Sequence, residues 1–283
     1  MGATRTIETS AITEAVRDLF VEASRELGDD VAEALKKSLL QEDSRLARTA
    51  LVAMIENITV AREEATPLCQ DTGLAVIFVD LGQDVHIQGG NFNDALQEGV
   101  RRAYDEGYLR KSLCDPLTRK NTGDNTPAVI HTRIVPGDRI RITAMPKGGG
   151  SENMSSARML VPAAGLEGIK NLVVDTVRRA GPNACPPVTV GVGIGGSLEM
   201  SAILAKRALL RPIDPDYQKN EVLREIEREL LENINDLGIG PQGYGGRVTA
   251  LAVHVEIMPC HISSLPVTVN LQCHVSRHRD VIL

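Results

Sequence analysis

The feature that most constrains this chain is a change of hydrophobic period near residue 74. Upstream, Ile12, Ala15, Val16, Leu19, Phe20, Ala23 and Leu27 recur every three or four residues, and Leu46, Ala50, Leu51, Met54, Ile55 and Ile58 repeat the pattern. That spacing lines one side of a helix with apolar groups, so residues from about 1 to 65 read as a helical layer, starting near Ser10 and with shorter helical turns around 31–40. At 74–81 the sequence becomes LAVIFVDL, nearly continuous in apolar residues and closed by Gly82, as a strand buried on both faces requires. Beyond it the two periods alternate. Helices are expected around 94–108, 166–179, 198–209 and 220–235, and strands at 128–135, 139–144, 188–194, 248–257 and 267–271. Pro136-Gly137-Asp138 has turn chemistry and predicts a hairpin between the first two of these strands. The fold class is therefore a mixed α/β (α+β) chain, a helical layer followed by mixed-sheet lobes, in one domain over 1–283 with room for two lobes.

Charge and composition remove several functions. The chain has 31 basic and 37 acidic residues, a net −6 without a basic stripe, so phosphate-backbone binding has no electrostatic footing and no nucleic-acid partner is expected. Only 2% of residues are aromatic and none is Trp, which removes stacking platforms and membrane-interface anchors. The apolar runs are too short to span a bilayer, so no membrane partner is expected. The opening MGATRTIETS carries charge and hydroxyls where an export signal needs an apolar run, which predicts a cytoplasmic protein. Five cysteines, at 69, 114, 185, 260 and 273, are odd in number and far apart in a chain too long to need stapling. They point to metal or catalytic use rather than disulfides.

Two motifs invite a reading that their surroundings oppose. Gly191, Gly193 and Gly196 spell G-x-G-x-x-G, but Pro212 and Pro215 stand where a dinucleotide fold needs its second strand. Glycines that permit a tight turn and close packing are the better account. Cys260-His261 and Cys273-His274 offer zinc-type ligands, yet neighbours on an extended segment point to opposite faces and do not converge on one ion. Cys114 and Cys260 read as small buried hydrophobes. Cys69, Cys185 and Cys273 differ, each lying in a polar or proline-marked context: PLCQDTG, NACPPVTVG and NLQCHVSRH.

Those segments, with AMPKGGGSEN and NTGDNTP at 121–127, occur in an order that resembles the N-terminal, alpha-type portion of class I iron–sulfur fumarases and the related L(+)-tartrate dehydratases. The resemblance runs from about Ile12 to the C-terminus. It implies a [4Fe–4S] cluster, around which the lobes are arranged, held by Cys69, Cys185 and Cys273. For the last of these the chain reads Gln-Cys-His-Val-Ser-Arg where many fumarases read Ser-Cys-Ser-Ala-Asp-Arg. Four irons with three thiolates leave one iron free to act as a Lewis acid on a substrate hydroxyl.

The resemblance further implies that Gln70, Asp71, Arg110, Gly149 and His261 meet a dicarboxylate substrate. Arg110 would pair a carboxylate, Gly149 present a backbone N–H, His261 donate a hydrogen bond, and Asp71 handle the proton of the iron-bound hydroxyl or water. Each has a plainer competitor: Arg110 beside a helix C-terminus, Gln70 and Asp71 in a turn, Gly148–Gly150 as a flexible loop, His261 satisfying backbone groups. The remaining catalytic groups of the family lie in a beta-type domain. The expectation is thus an alpha subunit completed by a separate beta subunit in an alpha2beta2-type heteromer, hydrating fumarate to (S)-malate. The alternatives are L(+)-tartrate dehydration to oxaloacetate and, in another class, a non-catalytic cluster scaffold or sensor.

Overall fold

The change of period marks a passage from helices to sheet. In chain order the first elements are β1 (Arg5–Glu8), α1 (Thr9–Arg25), α2 (Asp29–Gln41), α3 (Arg45–Glu63), β2 (Leu74–Gly82), β3 (Val85–Gln88), α4 (Phe92–Glu106), β4 (Val129–Val135) and β5 (Ile140–Lys147). There follow α5 (Gly149–Asn153), β6 (Ser156–Leu160), α6 (Gly165–Ala180), β7 (Val188–Gly195), α7 (Leu198–Ala208), α8 (Glu221–Asn235), β8 (Ala250–Met258), β9 (Leu265–Gln272) and β10 (Arg279–Ile282). This computed structural model describes residues 5–283; the first four residues of the stretch read above for an export signal lie outside them. The chain is mixed α/β, and it divides into a unit of Met1–Leu27, Val60–Gly149 and Arg277–Leu283 and a unit of Gly28–Thr59 and Gly150–Ser276. The first three helices are divided accordingly, α1 in the first unit, α2 in the second, and α3 with residues in each.

In the first unit the sheet order is β10-β5-β2-β4, with β2 parallel to β4 and antiparallel to β5. Both edges of β2 are hydrogen-bonded, and Ala75, Val76, Ile77, Phe78 and Val79 are buried, so both faces of the strand are covered and its sequence is apolar on both. Ala75, Ile77 and Val79 share a core with Ile12, Val16 and Phe20 of α1 and Leu96, Val100 and Tyr104 of α4. From the opposite face Phe78 stacks on His131 of β4 at 4.9 Å. The expected hairpin of β4 and β5 does not form, because β2 lies between them. The turn at 136–138 instead bonds to the chain leaving β2: Asp84 donates its N–H to Gly137 C=O and Gly82 to Arg139 C=O. Turn chemistry marks the reversal, but the most apolar strand takes the centre.

In the second unit the order is β6-β9-β7-β8, β7 being parallel to β8 and antiparallel to β9. One core joins Val188, Val190 and Val192 to Val267, Val269 and Leu271, to α6 through Val173 and Val177, and to α8 through Ile226, Leu230 and Ile234. Helix α7 packs on β7 across its glycines. A Cβ on Gly191 would stand 2.1 Å from Ala205 C=O and one on Gly193 2.0 Å from Ser201 C=O. The G-x-G-x-x-G glycines therefore admit the body of a helix, as the packing account requires, and the segment after α7 leads to α8 rather than to a strand. The edge strand β8 is blunted by α8: Asn235 Oδ1 accepts the N–H groups of Thr249 and Ala250, and Glu227 that of Val255. Arg211, buried, grips Glu227 with two N–H groups at 2.8 and 3.2 Å. No helix among the described residues is long and apolar enough to cross a membrane.

Candidate active site

Cys69, Gln70 and Asp71 lie on the segment that enters β2, and the first unit holds that segment from several sides. Buried Leu68 donates its N–H to Ser24 C=O at 2.8 Å. The Tyr104 hydroxyl reaches the carbonyls of Thr72 and Gly73 at 2.8 and 2.9 Å, and Thr72 Oγ1 donates to Arg110 C=O at 2.9 Å. Asn125, fully buried, donates through Nδ2 to Gly73 C=O and accepts through Oδ1 from the N–H groups of Ser112 and Leu113. Burial pushes the Tyr104 phenol well above its ordinary range, so the hydroxyl remains a donor. Tyr104, Thr72 and Asn125 thus bind the CQDTG segment to the segment carrying Arg110.

Around Asp71 every polar group is committed. Oδ1 accepts from Gly73 N–H at 2.9 Å, the side-chain turn anticipated for this residue, and Oδ2 accepts from Gly149 N–H at 2.7 Å. Its main-chain carbonyl accepts from Arg277 Nη2. Half-buried Cys69 receives Asp71 N–H at its sulfur, 3.4 Å, and lies 3.4 Å from Gln70 Oε1. The exposed Arg110 guanidinium has no ion-pair partner among the described residues.

The second unit brings Cys185 and the segment after Cys273 together. His274 donates its backbone N–H to Cys185 C=O at 3.2 Å, and its Nδ1 lies 3.1 Å from the same oxygen. Gln242 donates through its backbone and side chain to Pro186 C=O and places Nε2 3.3 Å from His274 Nδ1. Cys185 takes a left-handed backbone, φ 54°. The SEN part of the glycine-rich segment is anchored to β9: Glu152 accepts from Asn270 and from Lys206, and Ser155 Oγ accepts Leu271 N–H. His261 lies in the exposed turn between β8 and β9. Ser263 N–H donates to its Nδ1 at 3.2 Å, which assigns the proton to Nε2 and leaves that nitrogen as a donor. Cys260, expected to be buried, is exposed in the same turn with its thiol 3.2 Å from Ser264 C=O; the turn offers no core to bury it, and even its Ile262 is exposed.

Sequence reasoning quoted NTGDNTP and CHVSRH without giving Asn125 or Arg277 a role, and it expected a helix over 94–108 without giving Tyr104 one. A polar group inside an apolar stripe is the signal that Tyr104 offered. None of the five cysteines is joined in a disulfide. Among the described residues no three His, Cys, Asp or Glu side chains surround a point where a single ion would sit. A cubane makes a different demand, one thiolate on each of three separate irons. Half-buried cysteines outside any disulfide at 69, 185 and 273 match its donor chemistry, and a buried cation, Arg277, lies beside the Cys69 segment.

The family profile described as Fumarate hydratase (Fumerase) matches residues 13–282. A chain from Methanocaldococcus jannaschii, provisionally named L(+)-tartrate dehydratase subunit alpha, is 43% identical over 272 residues, 94% of this chain and 95% of its own length. The L(+)-tartrate dehydratase alpha subunits of Escherichia coli O157:H7 and strain UTI89 are 33% and 34% identical, covering 96% and 94% of this chain and 90% and 88% of theirs. This chain belongs to the fumarate hydratase (Fumerase) family.

Proposed function

We propose that this chain is the alpha subunit of a hydro-lyase that carries a [4Fe–4S] cluster on Cys69, Cys185 and Cys273 and adds or removes water at a four-carbon dicarboxylate. The carrying observation is the Asp71 carboxylate, fixed by the Gly73 and Gly149 N–H groups one residue from Gln70 and two from Cys69, on a segment braced against that of the unpaired Arg110. The bound cluster supplies a Lewis acid for the carbon–oxygen bond. Arg110 holds a substrate carboxylate, and Gln70 and the Nε2–H of His261 hydrogen-bond the substrate. Asp71 carries the proton of the departing or attacking water, with orientation costs met in advance by its two backbone donors. Gly149 acts through its backbone, its N–H spent on Asp71.

Fumarate hydration to (S)-malate is the first reading, supported by the family's name and the KGGGSEN segment. L(+)-tartrate dehydration is the second, favoured by what the relatives are named. The hydroxylated substrates, (S)-malate and L(+)-tartrate, differ by one hydroxyl, which a site reads strongly only through a polar partner. A separate beta subunit, in an alpha2beta2-type assembly, completes the site; the relatives' designation as alpha subunits supports this. The test is anaerobic assay of the cluster-loaded chain, alone and with a beta-type partner, on fumarate, (S)-malate and L(+)-tartrate. Turnover of one pair only, and only with the partner, is expected. Full turnover by the alpha chain alone would remove the two-subunit part, and no turnover of any of the three with a loaded cluster would remove the hydro-lyase reading.

A further inference from the structure

Arg277 is 3% exposed, yet it forms no ion pair among the described residues. One N–H, on Nη2, reaches Asp71 C=O, while Nε and Nη1 are buried without an acceptor. The nearby Asp71 carboxylate is turned to the Gly73 and Gly149 N–H groups and does not neutralise it. Tyr104 feels both charges, but its hydroxyl is directed at Thr72 and Gly73. A buried guanidinium is almost always paired, because stripping it of water without a counter-charge is expensive, and leaving two of its donors unmet adds to that cost.

We propose that Arg277 is half of an anion site beside the CQDTG segment, and that the other half arrives with a bound group. The required chemistry is an anionic acceptor for the Nε–H and Nη1–H pair. Two groups invoked above have it: a carboxylate of the dicarboxylate substrate, and the sulfur atoms of a cluster bound at Cys69. Arg277 also fixes Asp71 through its main-chain carbonyl, so the bound anion and the proton-carrying residue are held by one cation. This inference rests on the proposed function for the identity of the anion, and on burial and unmet donors for the site itself.

The test compares wild type with Arg277→Met, which keeps much of the volume and removes the charge, and with Arg277→Lys, which keeps the charge and loses the planar donor pair. Circular dichroism first checks that each cluster-free variant is folded, Arg277→Lys serving where Arg277→Met is not. Malonate is then titrated into the cluster-free chains while thermal unfolding is followed, and the chains reconstituted without dicarboxylate are challenged with an iron chelator while iron and sulfide are counted. If the anion is a carboxylate, malonate binds about 10- to 100-fold more weakly to the variants. If it is cluster sulfur, malonate is unaffected and the variants release iron at least about tenfold faster. Equal malonate binding and equal iron release in wild type and variants would overturn the anion site while leaving the hydro-lyase reading in place. A wild type that takes up no cluster but binds malonate through Arg277 would do the reverse, and a wild type that binds neither would remove both.

Discussion

At the scale of single residues, His254 on β8 carries a pH dependence that the site does not need. Burial, reinforced by the charge of Arg211, pushes its imidazole down from 6.5 to about 4. In the neutral form Nδ1 lies 3.0 Å from Ala208 C=O, to which it donates. The folded state therefore resists a proton that the unfolded chain takes up near pH 6.5. Stability is complete above that pH and is lost as pH falls toward 4; the gap, at about 1.4 kcal/mol per pH unit, amounts to about 3 kcal/mol. Urea unfolding of wild type and His254→Gln at a series of pH values checks this, and the difference between them should change with pH only in that window. A pH-independent difference would sink the assignment. The sequence offers no hint of it, since an isolated histidine in an apolar strand looks the same whether it is neutral and buried or free to ionise. The same holds for Asn125, Thr72 and Arg277: their types are visible in the sequence, but their roles arise from segments distant in the chain.

Elements were more readable, and the failures among them have a common cause. The long helices and the interior strands carry enough residues for their period to show, whereas β1, β3, β6 and β10, of four or five residues each, do not. The missing hairpin is a failure of pairing and not of strand assignment, because β2 competes for both neighbours with a longer apolar run. Where packing forces a residue choice, the sequence could be read against a tempting motif. Gly193→Ala would set a methyl 2.0 Å from Ser201 C=O, and a helix backbone cannot retreat without unseating Ala205 and Ala208 from the core. We expect a loss of about 3 kcal/mol in urea unfolding, since overpacking of this severity sits at the upper end of its usual cost. We also expect no quenching or enhancement of NADH fluorescence by wild type; a nicotinamide signal abolished by the substitution would restore the dinucleotide reading.

At the scale of the whole molecule the cysteines carry the argument, because a cluster draws its ligands from wherever the fold delivers thiols, and no local spacing encodes it. Sequence motifs could nominate Cys69, Cys185 and Cys273 only through family resemblance; the structure adds that each is half-buried and outside any disulfide. Cys69 has a backbone donor on its sulfur, and the backbones of Cys185 and His274 are hydrogen-bonded to one another. Cys114 is half-buried as well, so burial alone does not choose the ligands, and Cys260 is exposed beside His261. The discriminating series is therefore Cys→Ser at all five positions, assayed after anaerobic reconstitution for iron, acid-labile sulfide and zinc per chain. About four irons and four sulfides are expected for wild type, retained in Cys114→Ser and Cys260→Ser and largely lost in the other three, because a cubane deprived of one thiolate has only a weaker oxygen donor in its place. Circular dichroism of the cluster-free proteins separates ligand loss from misfolding, since serine replaces sulfur with little change of volume. Retention of cluster by Cys273→Ser with loss in Cys114→Ser would transfer the third ligand to the segment that follows Arg110, and zinc without sulfide would leave the chain a metal but no hydro-lyase centre.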